Sequence, residues 1–279
     1  MRLLTGWILL LTLLLGGCSR VGLVYNNLDT LVGFEVGRTL DLDRAQEQLL
    51  DEQFRLLWDW HRHTQLPLYA QDLRELAAAV DEPVSAGQVL GYLARAEAHG
   101  ETLTRRAANH ALPLLASLRD EQVSHLNQRL RKRMEQSASE TRPTDEQWVD
   151  TTYRNARKSL EKWAGRSTPE QREQLRDWAR QRLRWRTPPA ADSDSPDTLL
   201  QPLNALLAQR QAPDFAEQLD RFLFGQQQEA QDQRNADEQR REGAAFLAQM
   251  SQGLTPAQRR HLQDRLLDYA RQFEKLAAR

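Results

Sequence analysis

Apolar residues recur along this chain at intervals of three and four, with polar residues filling the positions between. Val89, Leu93, Ala96, Gly100, Leu103, Ala107, His110 and Leu114 form a coiled-coil-like seam, which predicts one helix of more than 25 residues. Leu262, Leu266, Tyr269, Phe273 and Leu276 repeat the pattern near the C-terminus. Leu50, Phe54, Leu57, Trp58 and His61 line one face of a third helix. Pro67 interrupts that stripe, and Tyr69, Leu73, Leu76 and Val80 resume it. No alternating run of β-branched and aromatic residues is long enough to make a strand.

Helix starts are written in a second, local code. Asp43 with Gln46, Ser85 with Gln88, Thr144 with Gln147, Thr168 with Gln171, and Thr255 with Gln258 each place a short oxygen-bearing side chain three residues before a glutamine. That spacing lets the first side chain accept from the fourth amide while the glutamine reaches back, a capping box. Pro169 and Pro256 take the first helical position, where the missing N–H costs nothing. Five starts at irregular intervals predict at least five helices without a strict repeat. The fold class that follows is all-α, an antiparallel bundle of helical hairpins.

Two segments break the plan. Thr187 to Asp197 carries Pro188, Pro189, Pro196 and three aspartates, and proline cannot continue the preceding helix. It is read as an acidic linker, 187–198, between a helical domain, 25–186, and a C-terminal helical region, 199–279. Within the latter, 225–243 offers only alanines as apolar residues. A helix there is polar all round, an arm expected to project into solvent or stay partly disordered.

The N-terminus carries an address. Arg2 precedes an apolar run from Leu3 to Leu15, and Leu15-Gly16-Gly17-Cys18-Ser19 resembles the lipobox of bacterial lipoproteins. The run is too short for a spanning helix, which needs ~20 apolar residues. The resemblance implies a signal peptide, 1–17, removed on maturation, acylation of Cys18, and a tether, 18–24. Several acyl chains anchor stably. Ser19, where inner-membrane lipoproteins carry Asp, implies the outer membrane, periplasmic face.

Charge and cysteine content narrow the rest. The formal net charge is −1, and loss of Arg2 with the leader makes it −2. With 28% charged residues and a mean hydropathy of −0.71, the surface carries interleaved signs and no basic excess, so nucleic acid is not an expected partner. Cys18 is the single cysteine, and lipidation leaves none for a disulfide, a thiolate metal site or a redox couple.

Candidate chemistry is sparse. His61 and His63 diverge by roughly 200° on a helix and cannot share one metal. His99, His110, His125 and His261 show no paired spacing, and His110 reads as a packed, hydrogen-bonded seam residue. There is no Gly-x-Ser-x-Gly elbow, phosphate-binding glycine loop or HExxH. No catalytic residue, metal or cofactor is expected, and the chain does not read as an enzyme. Of the tryptophans that survive cleavage, most are expected in the core. Trp60 lies off the Leu57 and His61 stripe. The distinctive local sequence is Trp58, Trp60, His61, Arg62, Pro67 and Tyr69: Pro67 disfavours helical geometry at Leu66. A kink or turn there is expected to let Trp58, His61, Leu66 and Tyr69 converge, as a structural corner or a partner site.

Tyr25-Asn26-Asn27, Leu42-Asp43 with Gln46, Trp60-His61-Arg62 and Leu66-Pro67 with Tyr69 resemble an uncharacterised family of proteobacterial lipoproteins, over most of the chain to about residue 186. A fainter similarity is to the Spy/CpxP periplasmic chaperones, whose hallmark is Leu-Thr-x-x-Gln at helix starts. Leu254-Thr255-Pro256-Ala257-Gln258 fits in full; Ser167-Thr168-Pro169-Glu170-Gln171 lacks the leucine, and Leu118-Arg119-Asp120-Glu121-Gln122 lacks the threonine. The expectation is a lipid-anchored, non-enzymatic interaction or chaperone-like protein, bound to the membrane through Cys18 and meeting a periplasmic partner or unfolded clients. The alternative is a structural adaptor in an envelope assembly.

Overall fold

The computed structural model describes residues 25–139, 143–186, 195–225 and 230–279. Its described residues form helices and turns with no strand, in the order α1 (Leu28–Leu40), α2 (Arg44–Trp60), a π-helical segment (His61–Gln65), α3 (Leu66–Ala79), α4 (Ala86–Ser117), α5 (Asp120–Ser139), α6 (Asp145–Ala164), α7 (Pro169–Gln181), a 3-10 turn (Arg182–Trp185), α8 (Pro196–Ala208), α9 (Phe215–Phe224), α10 (Ala230–Gln252) and α11 (Pro256–Ala277). All five glutamine capping boxes form. Those at Asp43, Thr144, Thr168 and Thr255 open α2, α6, α7 and α11. At Ser85 the backbone N–H donates to Gln88 Oε1 at 2.8 Å, and Ser85 Oγ accepts from the Gln88 amide.

Two compact units are interleaved along the chain. Among the described residues the first takes 25–65, 99–139 and 195–225; the second takes 66–98, 143–186 and 230–279. Residues 25–186 therefore contribute to both. Of the linker 187–198, residues 187–194 lie outside the described residues, and Pro196 already opens α8 with Ser195 as its N-cap.

In the first unit α1 folds back on α2 and also packs against α5, while α8 meets α5 and α9. Leu40, Leu114 and Leu118 are buried together with Val36, Leu49 and Val123 around them. A second cluster joins Leu206, Phe215 and Leu219 to Leu112. Gly33 and Gly37 face α2, where a Cβ at either would stand in ordinary contact with Asp51 Oδ1 at 3.7 Å or Glu47 Oε1 at 4.0 Å. Asp41 ends α1 in the left-handed conformation, φ +52°, with its amide donating to Gly37.

In the second unit α11 runs along α3 and α6, and α6 pairs with α7. Ala77, Val80, Val84, Val89, Ala244 and Leu266 form one cluster, flanked by Leu73, Leu76 and Trp163. Tyr153, Leu175, Ala179 and Met250 form another, with Trp178 stacked on Phe246 at 4.8 Å. The α4 seam is buried at Val89, Gly100 and Leu114 and not throughout. Val89 serves the second unit, Leu114 serves the first, and Ala96 is exposed. The polar arm is helical over residues 230–243 and mostly exposed, with Arg240 on Glu97 and the Trp185 indole donating to Glu242 at 2.8 Å.

Candidate functional site

The stripe of α2 puts Phe54, Trp58 and His61 on one face, and the structure turns it into a ladder of rings. Phe54 stacks on Trp58 at 5.3 Å, and Trp58 stacks on His61 at 4.9 Å with planes 12° apart. Tyr25, just ahead of α1, closes the ladder, 4.5 Å from Trp58 between ring centres and hydrogen-bonded through its hydroxyl to His61 Nδ1 at 2.9 Å. Arg62 lies over the Tyr25 ring at 5.4 Å and donates to Asn26 Oδ1. His61 is 5% exposed, and burial pushes its imidazole down to about 4. It is a neutral hydrogen-bonding group at neutral pH. The Trp58 indole N–H, in contrast, is buried with no hydrogen bond among the described residues.

Pro67 does not end the helix. Helix α2 passes into five residues of π-helix, His61–Gln65, and α3 begins at Leu66. A proline offers no N–H and crowds the preceding turn, and one extra residue per turn widens the coil enough to carry the ring. The shift in register frees carbonyls, and local side chains bond them. Thr64 Oγ1 donates to the Trp60 carbonyl at 2.7 Å, and His63 Nδ1 lies 2.9 Å from the Asp59 carbonyl.

Of the residues expected to converge, Trp58 and His61 stack in the first unit, and Leu66 and Tyr69 fall in the second. Trp58, His61 and Arg62 gather with Tyr25. Trp60 points elsewhere in the same unit, under the Arg106 guanidinium at 5.4 Å. Pro67 is exposed, and Tyr69 belongs to the second unit, where its ring meets Phe273 edge-on at 6.3 Å. Burial pushes the Tyr69 phenol up to about 12. Cys18 and the segments 1–17 and 18–24 lie outside the described residues.

Beside the ring ladder opens a cleft of about 580 Å³. Its floor is Tyr25, Phe54 and Trp58. Asp29, Asp51 and Asp59 face into it with Arg55 and Arg62, so both signs of charge surround a flat aromatic surface. Rings of this kind offer contact area at low entropic cost, and charges beside them can orient a bound group. On its wall the Thr30 hydroxyl donates to Asp29 Oδ1 at 3.4 Å. Among the described residues no three His, Cys, Asp or Glu side chains gather as a metal site. His110 hydrogen-bonds Gln53 at 3.0 Å, a packed seam residue as its position predicts.

Sequence reasoning identified the glutamines but not what they do together. Gln46 and Gln122, 76 residues apart, exchange amide hydrogen bonds, Gln46 Nε2 to Gln122 Oε1 at 3.0 Å and Gln122 Nε2 to Gln46 Oε1 at 2.6 Å. Each also receives the N–H of its own helix start, Asp43 or Arg119, and donates to a carbonyl across the junction, Ser117 or Asp41. The second unit repeats the device. Gln171 and Gln258 exchange bonds at 2.9 Å both ways, accept from Thr168 and Thr255, and donate to Gly253 and Arg166. All four glutamines are buried, whereas Gln88 and Gln147 cap exposed helix starts. Arg210 was not foreseen either. It is 8% exposed, donates to the Leu118 and Leu207 carbonyls, and reaches the Asp120 carboxylate.

These features define an all-α protein of paired helical hairpins, each unit locked by a reciprocal glutamine pair, with an amphipathic cleft beside α1. The chain belongs to a family of unknown function, DUF6279, whose model matches residues 38–228. No curated protein and no solved structure matches it.

Proposed function

We propose that this is a lipoprotein of a proteobacterial envelope, held by acyl chains on Cys18 at the periplasmic face of the outer membrane, and that it works by binding another protein without catalysis. The lipobox Leu15-Gly16-Gly17-Cys18 supports the anchor, and Ser19 supports the membrane. The cleft carries the binding reading: its floor is aromatic, its rim mixes carboxylates with guanidiniums, and the one buried histidine beside it is spent on Tyr25. Unfolded segments present such mixed apolar and charged chemistry, which favours a chaperone-like role.

A photo-crosslinking residue in place of exposed Arg55, in cells, tests this. Adducts with several unrelated envelope proteins are expected. One dominant adduct supports the structural adaptor instead, and an absence of protein adducts overturns the binding reading.

A further inference from the structure

The helix that follows the tether is apolar on two sides. Val36 and Leu40 face the first unit's core, and Gly33 and Gly37 face α2. On the opposite face Leu31 and Phe34 stand one turn apart, 54% and 67% exposed. A soluble helix normally keeps its outward face polar, and here two large apolar side chains share that face with Glu35 and Arg38. Phe34 is the most exposed of the large apolar side chains among the described residues.

We propose that the Leu31 and Phe34 face of α1 seats in the headgroup boundary of the same bilayer that holds Cys18, a reading that rests on the anchoring proposed above. The occupant follows from chain length. Six residues, 19–24, separate Cys18 from Tyr25, where the described chain begins, so seven Cα steps join them. Fully extended they reach about 25 Å, at ~3.3–3.6 Å per residue. A patch on so short a leash meets the lipid surface at an effective concentration of order millimolar, so two side chains that bind weakly alone suffice. Charge selects the kind of lipid contact. Glu35 and Arg38, on the same exposed side, pair with each other at 3.1 Å, and Arg38 lies over the Phe34 ring at 5.7 Å. With no basic excess, the contact is apolar and needs no anionic headgroup. Seating α1 on the bilayer also places the cleft, lined by Asp29, Thr30 and Gly33 of the same helix, close to the membrane surface.

The test uses the full acylated protein in vesicles of zwitterionic phosphatidylcholine, with acylation of each sample checked by mass. Cys18 is consumed by lipid and no other cysteine exists, so Glu35→Cys carries a polarity-sensitive fluorophore at one site. Shallow spin-labelled lipids are expected to quench it severalfold more than they do in a Leu31→Asp, Phe34→Asp background that keeps the parent's melting temperature. Quenching should persist at high salt. An acylated, vesicle-bound protein whose label stays in water overturns the proposal. A label that shifts only as protein density rises, without lipid quenching, reports a second copy on the patch and overturns it as well. Failure to acylate overturns the anchoring reading and is distinguished by mass.

Discussion

Burial holds His61 neutral, and that gives acid a specific way to destabilise the first unit. In the unfolded chain the imidazole takes its proton near 6.5, and in the folded chain only near 4. Between those values the unfolded state binds a proton that the folded state refuses, so stability is complete above about 6.5 and is lost as pH falls through 4. One pH unit is worth ~1.4 kcal/mol, and the full window therefore amounts to about 3 kcal/mol. Urea titrations at neutral pH and near pH 4.5 should show this loss, and His61→Phe should flatten it; equal pH dependence in both proteins would contradict the assignment. Tyr25→Phe removes the hydroxyl that meets Nδ1 and should cost ~1–3 kcal/mol at neutral pH, read from the same titrations. Trp58 and His61 were visible in the sequence as neighbours on a helical stripe. Tyr25 was not, because nothing local joins it to a histidine 36 residues away.

At the scale of elements, the helix starts were legible and their partners were not. A capping box is closed within four residues, so Asp43, Ser85, Thr144, Thr168 and Thr255 announce themselves. Whether a box then pairs with another depends on tertiary packing, and the spacings of 76 and 87 residues carry no periodic signal. The difference is measurable. Gln171→Ala removes bonds to the Thr168 amide, the Gly253 carbonyl and Gln258 at once, leaving buried groups at ~1–3 kcal/mol each. Gln147→Ala, at an exposed box, should cost no more than ~1 kcal/mol. Chemical denaturation should rank the two in that order, and equal losses would show that the buried exchange adds nothing. At Pro67, where a kink or turn is expected, helical geometry continues. The rule that proline ends a helix assumes an ordinary α-turn, whereas the π segment with Thr64 on the Trp60 carbonyl gives the ring room and the helix a way through.

For the whole molecule, the hydrophobic periodicity sufficed for an all-α bundle because each stripe needs a facing helix. It did not give the division into two units, since α4 contributes Val89 to one core and Leu114 to another while keeping a single unbroken register. On the anchoring proposed above, the cleft and the Leu31 and Phe34 face would lie within a short tether of a bilayer. Metabolic labelling with a tagged fatty acid, followed by separation of inner and outer membranes, tests that claim most directly. The parent chain should carry label and sediment with the outer membrane, and Cys18→Ala should carry none and keep its leader. Label retained by Cys18→Ala, or an unlabelled parent protein, would contradict it.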